Sequence, residues 1–212
     1  MPNKLEDLPY ARYLTPFEGE LEPEGEYECA QISGVFEDAH IGYARFSESA
    51  FTGVVATRGS MRFAQFADVW LRDVRWVGTD VSDTAWRDSE MIAGALSGVD
   101  LAGSQLRRLR FEGCKFDSVN FRKSNLRDVE FVDCVLRHAD FADASLTNVR
   151  FPGSILDEIT LSRAELTKVD LRGAHAIGIA EGMEALRGAT ITPGQLMDLA
   201  PAFARHFGIV VR

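Results

Sequence analysis

Cysteine is scarce. Three in 212 residues is too few for a disulfide framework, and the odd number fits a reducing compartment. Long apolar runs are also missing: no stretch approaches the roughly 20 apolar residues of a membrane span. The opening MPNKLEDLPYARYL has no apolar core of signal-peptide length. A cytoplasmic location with no membrane partner is expected on these grounds. Phosphate loop, dinucleotide fingerprint, nucleophile elbow and zinc-protease motif are all absent. The chain is therefore expected to be no enzyme, with no catalytic residue and no cofactor. At 46% hydrophobic and 26% charged residues, the composition excludes disorder and collagen-like repeats.

Charge of one sign is in excess, and its location matters more than its size. The net charge is −9, of which residues 1–33 supply −6, residues 34–173 supply −3 and residues 174–212 nothing. The amino-terminal run FEGELEPEGEYE reads as a solvated, turn-rich lead-in.

What the chain does have is a period of five. In FDSVNFRKSNLRDVEFVDC, Phe116, Phe121, Leu126 and Phe131 are five apart, and the same phase runs unbroken from Phe36 to Leu171, 28 positions, all apolar. Chance would give this about once in 10⁹ trials at this composition. A second column lies two residues earlier and is small or aliphatic, from Gly34, Ala39 and Ala44 through Cys114, Val119, Ser124, Val129 and Cys134 to Val169. No member of it is charged, so all 39 charged residues of this segment fall in the other three columns. Residues two apart in an extended chain point to one face, so each small and large pair faces inward together. The remaining step of three must turn a corner. Successive short sides then wind into a solenoid whose backbone groups pair with the coils above and below.

Units such as GVDLA, SVNFR, SNLRD, ADFAD and VDLRG resemble the pentapeptide-repeat family, over about 140 residues. Early pentads depart from its pattern: Arg75 and Ala85 stand where Asp or Asn is usual, and Trp76 and Trp86 are bulky, which predicts local irregularity. The resemblance implies a right-handed, four-sided β-helix. On it, 28 pentads make seven coils of 20 residues, about 34 Å tall at ~4.8 Å per coil. Recurrence of aromatic residues 20 positions on, as in Phe111, Phe131 and Phe151, does not by itself decide the number of sides.

Three segments follow: an acidic lead-in and cap over 1–33, the β-helix over 34–173, and a carboxyl-terminal cap over 174–212. Thr192 and Pro193 open a helix whose Leu196, Leu199, Phe203 and Phe207 make one apolar stripe. Pro201 should kink or split it. Gly208 ends it, and Ile209, Val210 and Val211 read as a short strand. The stripe is expected to cap the last coil and to offer a surface for a homodimer.

The metal candidate Cys114, Cys134 and His138 does not converge, because the cysteines belong to the inward column and His138 to an outward one. Arg107, Arg108, Arg110, Lys115, Arg122, Lys123 and Arg127 oppose only Glu112 and Asp117 in their interval, a basic belt that offers a surface to an anionic partner. No aromatic interleaves with it, which argues against direct nucleic-acid binding. The family's best-known activity, as the resemblance implies, is binding a type II topoisomerase such as gyrase through an acidic, DNA-like rod, with resistance to quinolones or toxins. Sorted into four faces, these pentads carry −1, −1, +1 and −2, and none is an acidic stripe. The leading expectation is a rigid macromolecule-binding solenoid with an unidentified protein partner; the gyrase-binding protein is the alternative.

Overall fold

The structure, a computed structural model, describes residues 4–211. Short parallel strands stack at a spacing of 20 residues: Arg75 pairs with Ala95, Ala95 with Lys115, Lys115 with Val135 and Val135 with Ile155. Four pentads therefore complete one coil, and the chain makes about eight turns. Eight strands stack on the first face, centred on Phe36, Ala56, Trp76 and so on. The second face, centred on Ile41, Met61 and Val81, is joined by single bridges such as Asp80 to Asp100 to Asn120. The third face, centred on Phe46, Phe66 and Trp86, and the fourth, centred on Phe51, Leu71 and Met91, share a sheet of 12 strands. In mid-rod the strands Ala85–Ile92, Gln105–Glu112 and Asn125–Val132 run continuously round the corner between them.

Both inward columns are inside. Every large-column residue from Ile41 to Leu171 is buried, and only Phe36 at the rim is partly open. The small column carries Ser, Thr and Cys because an inward backbone N–H needs an acceptor there. Ser89 Oγ accepts from Val69 N–H at 3.0 Å, Ser104 Oγ from Thr84 at 3.1 Å and Ser154 Oγ from Cys134 at 2.9 Å. Large residues stack from coil to coil, with ring centroids 5.0 and 5.1 Å apart along Phe111, Phe131 and Phe151. Two interior voids among the described residues are about 10 Å³ each, about the volume of one water probe.

The corner has one solution throughout. The residue two beyond the large one has positive φ at all 27 positions from Asp38 to Lys168, and six of these are glycine. Val, Ile and Thr never occur among the others, as the left-handed region demands of β-branched side chains.

The bulk of Trp76 and Trp86 does not disturb the coils as expected, since the 20-residue register passes through both. Room comes from their neighbours: Trp76 lies over Ala56, and Trp86 stacks on Phe66 at 3.8 Å. The slip occurs earlier. Glu26–Glu28 and Ala30–Ile32 pair with Arg45–Ser47 and Ala50–Thr52 at a spacing of 19, so coiling continues below Phe36 with one residue fewer. Tyr27 stacks on Phe46 at 4.9 Å and Ile32 is fully buried.

At the other end, Ala176–Glu181 pairs with Ile155–Thr160 through two register shifts, and Ala189–Thr190 pairs with Val169–Asp170. The helix Pro193–His206 follows, opened by a reciprocal capping box of Thr192 and Gln195. Gln195 Nε2 also donates to the carbonyls of Leu171 at 2.8 Å and Ala174 at 3.0 Å, tying the helix to the rim of the last coil. Pro201 does not split it; the carbonyl that loses its donor belongs to exposed Met197. The strand expected at residues 209–211 is absent among the described residues. Those side chains stand in solvent.

Candidate partner-binding surface

Every outward column of a solenoid meets itself one coil later, so residues 20 apart become neighbours. This decides what the charged residues do. At the corners Arg58 lies on Asp38, Arg108 on Asp88 and Arg163 on Asp143, each through two N–H to carboxylate bonds. Asn148 Nδ2 donates to Asp128 at 2.6 Å. Hydrogen bonds from these guanidinium groups hold the carboxyls of Asp38, Asp88 and Asp143 below their ordinary range, and Arg172 does the same to Asp170. On the fourth face Glu90, Arg110, Glu130 and Arg150 follow one another in register. Arg110 reaches Glu130 at 2.8 Å, Glu112 at 2.6 Å and Glu90 at 3.6 Å, and Arg150 reaches Glu130 from the next coil. This alternating ladder floors an open groove of about 430 Å³ along the corner between third and fourth faces.

The same corner is covered nearer the amino terminus. Two single-turn helices, Leu5–Asp7 and Ala11–Tyr13, flank Tyr10, which is buried in a depression lined by Glu48, Asp68, Trp70 and Glu90. Burial, and then the charges of Asp68 and Glu48, push the Tyr10 hydroxyl well above the ordinary phenol range. The same causes act on Asp68, whose carboxyl is raised by burial and by Asp88.

The seven basic residues read from the sequence do not share a surface. Arg107 and Arg127 point out from the third face, Arg108 from its corner with the fourth, Arg110 from the fourth face, Lys115 from the first, and Arg122 from the second, with Lys123 at the corner of second and third. Carboxylates that lie far off in sequence oppose several of them: Asp88 for Arg108, Glu90 and Glu130 for Arg110, and Asp140 for Arg122 at 3.0 Å. One residue that the local count passed over joins them. Arg87 is in register beneath Arg107, and Arg107 beneath Arg127, so three arginines stack in one exposed column. The signal for it was the 20-residue spacing.

Two exposed aromatics also stand outside. Tyr43 and Phe63, at the corner of second and third faces, stack on each other at 4.9 Å, with Arg62 over Phe63 at 5.0 Å. Both occupy left-handed corner positions. In the carboxyl-terminal stripe only Leu199 is buried, while Leu196 and Phe207 are 50% and 69% exposed and Phe203 is intermediate. Cys114 and Cys134 are free, buried thiols in the inward column. The Cys114 thiol and burial push the Cys134 thiol up. His138 faces outward to Glu158 at 3.3 Å, away from both.

The geometry defines a parallel, four-sided β-solenoid wound from five-residue units. Residues 92–161 match the family model described as a pentapeptide repeat region, and the same unit builds the coils on both sides of that stretch. Residues 92–161 are thus a pentapeptide repeat region, set within a longer solenoid of the same five-residue unit. No curated protein matches it. Among solved structures it is similar to QnrB1, a plasmid-mediated fluoroquinolone resistance protein, at 15% identity over 89% of this chain and 100% of that one, with a TM-score of 0.43. It is also similar to a pentapeptide repeat protein of the Arabidopsis thaliana thylakoid lumen, at 14% identity over 58% and 76% of the two chains and a TM-score of 0.44. A third is HetL of the cyanobacterium Nostoc, involved in heterocyst differentiation regulation, at 18% identity over 83% and 93% and a TM-score of 0.37.

Proposed function

We propose that this protein acts without catalysis, as a rigid rod that binds a macromolecular partner along its outward faces, in the cytoplasm. The observation that carries this reading is the use of the two kinds of column. Inward columns fill the interior, and outward columns are held in register by the coils, a preformed surface that loses little entropy on binding. The groove between the third and fourth faces is open and floored by side chains already paired with one another, unlike the convergent polar groups of a catalytic pocket. Affinity capture from the native host, with the rod as bait, tests the reading. A protein retained at stoichiometric level is the expected result, and retention of nothing above a bait of scrambled outward charges would overturn it.

The gyrase alternative asks for a continuous negative surface, since duplex DNA carries one charge per ~1.7 Å. Ladders in which Arg58, Arg108 and Arg163 each neutralise the coil below work against it. Neither inhibition of supercoiling nor relief of a gyrase poison is therefore expected at micromolar protein; either effect would reinstate the alternative.

A homodimer through the carboxyl-terminal end is part of the proposal. Leu196, Met197, Phe207, Ile209, Val210 and Val211 remain exposed there, and an apolar group of this kind on a closed fold suits a second copy. Light scattering should give a dimer for the natural chain and a monomer for Phe207→Asp. A monomer for both removes the dimer.

A further inference from the structure

We propose that the third face docks an acidic α-helix of a protein partner. Its carboxylates at i, i+4 and i+7 would meet Arg87, Arg107 and Arg127, and an apolar residue one turn further would rest beside Phe63. The inference rests on the macromolecule-binding reading above and names the chemistry of the partner.

Like charge stacked in register is the first support. Opposite charges across paired strands stabilise and like charges destabilise, and several columns of this chain alternate them: Asp38 with Arg58, Asp143 with Arg163, and Glu90, Arg110, Glu130 and Arg150 in sequence. The like pair Asp80 and Asp100 is relieved by hydrogen bonds from Ser82, Ala102 and Asn120, and Asp68 and Asp88 are a second like pair. Arg87, Arg107 and Arg127 do not alternate, and they are the run of three cations in register. Arg107 has no ion-pair partner among the described residues. Arg87 and Arg127 have only Asp88 at 3.5 Å and Asp128 at 3.8 Å, and Asp88 is already held by two bonds from Arg108. Side-chain exposures of 59% for Arg87 and 62% for Arg127 leave their guanidinium forks open to bidentate carboxylates. Gln105 and Asn125 lie on the same rows two residues away and add neutral donors. The third face is also the face whose repeat charge is positive.

Spacing is the second support. Three arginines one coil apart span about 10 Å, at ~4.8 Å per coil. A helix repeats one face every 5.4 Å, so carboxylates on three successive turns, two pitches end to end, span about 11 Å, a mismatch that long side chains absorb. An extended strand, with same-side residues ~6.8 Å apart, overshoots. A nucleic-acid strand fits less well, because base stacking needs free ring faces. The rings of Tyr43 and Phe63 are taken up by each other and by Arg62. The ring edges remain exposed. Ala67 continues the arginine column one coil below Arg87, and Ala85 is in register with Gln65. The aromatic pair borders the same face at its other corner, and aromatic and arginine side chains together are the composition of binding hot spots.

The test uses the full chain and a synthetic probe: a fluorescent, alanine-rich peptide of about 21 residues, long enough to be helical, with Glu at i, i+4 and i+7 and Leu at i+11. Anisotropy should show it bound at least about tenfold more tightly than a peptide of the same composition with its Glu spread round the helix. The variant Arg87→Gln/Arg107→Gln/Arg127→Gln should lose at least about tenfold, whereas Arg58→Gln/Arg137→Gln/Arg163→Gln, with the same charge change on other columns, should not. Equal loss in both variants, equal binding of both peptides, no binding of either, or tighter binding of oligo-dT overturns the inference. A host protein captured equally well by the natural chain and the third-face variant would also overturn it while leaving the binding rod intact; capture of nothing by either removes the broader reading.

Discussion

Two outward columns that share three coils carry opposite designs. On the fourth face Glu90, Arg110, Glu130 and Arg150 alternate and are tied together by close contacts; on the third, three residues before each of the first three, Arg87, Arg107 and an aspartate-flanked Arg127 repeat one sign. Backbone register is the same for both, because both lie on the strands Ala85–Ile92, Gln105–Glu112 and Asn125–Val132. The difference therefore lies in the side chains alone. One column satisfies its charge within the molecule, and the other keeps it available.

The largest effect should come from giving the fourth face the third face's design. Arg110→Glu would place a carboxylate among Glu90, Glu112 and Glu130, of which Glu90 is only 7% exposed. An uncompensated charge in so shielded a place is strongly destabilising, and loss of about 3 kcal/mol is expected. Urea unfolding at pH 7 measures it as a lower midpoint at unchanged slope. A loss below about 1 kcal/mol would mean that the ladder is ordinary exposed salt bridging.

Much of this was legible from residue order, and the exceptions have physical causes. The two inward columns read directly, since burial selects apolar and small residues at a fixed spacing. The 20-residue coil did not read from the interior, which accepts any large residue over any other, as Trp76 between Ala56 and Leu96 shows. Register is legible on the outside instead, in the pairs Asp38 with Arg58, Asp88 with Arg108 and Asp143 with Arg163. Counting charge along the chain overlooks it: Arg108, Arg110 and Arg122 look unopposed until coiling brings up Asp88, Glu130 and Asp140. The missing residue before Phe36 hid Tyr27 and Ile32 behind a phase change. Nothing periodic marks Tyr10, whose burial depends on where an irregular segment crosses the corner.

A smaller effect separates two neighbours in the corner column between these faces. Asp88 is lowered by its bonds to Arg108, and Asp68, one coil below, is raised by burial and by the charge of Asp88. For Asp88 the linked stability is present above the unfolded value of about 3.9 and is lost as pH falls through the lowered folded value. For Asp68 it is complete below about 3.9 and is lost as pH rises through the raised folded value. At pH 7, Asp88→Asn should therefore lower stability and Asp68→Asn raise it, by about 1 kcal/mol or less each, seen as opposite shifts of the melting temperature. Both differences should shrink toward pH 3. Shifts of the same sign at pH 7 would show that the two carboxylates do not feel opposite surroundings.

The smallest effect on stability carries the most meaning for function. Arg107→Glu gives the third face the fourth face's design, a carboxylate in register between Arg87 and Arg127, and should stabilise the chain by about 0.5 kcal/mol through two cross-strand pairs of opposite sign. The side chain points into solvent, so no packing term opposes the gain. The same substitution should abolish binding of the striped acidic helix. A rise in melting temperature with loss of binding is the expected pair of results, and it is the signature of a residue kept for a partner at some cost in stability. If Arg107→Glu destabilises instead, the natural column is already relieved by Asp88 and Asp128, and its like charges are no sign of a missing anion.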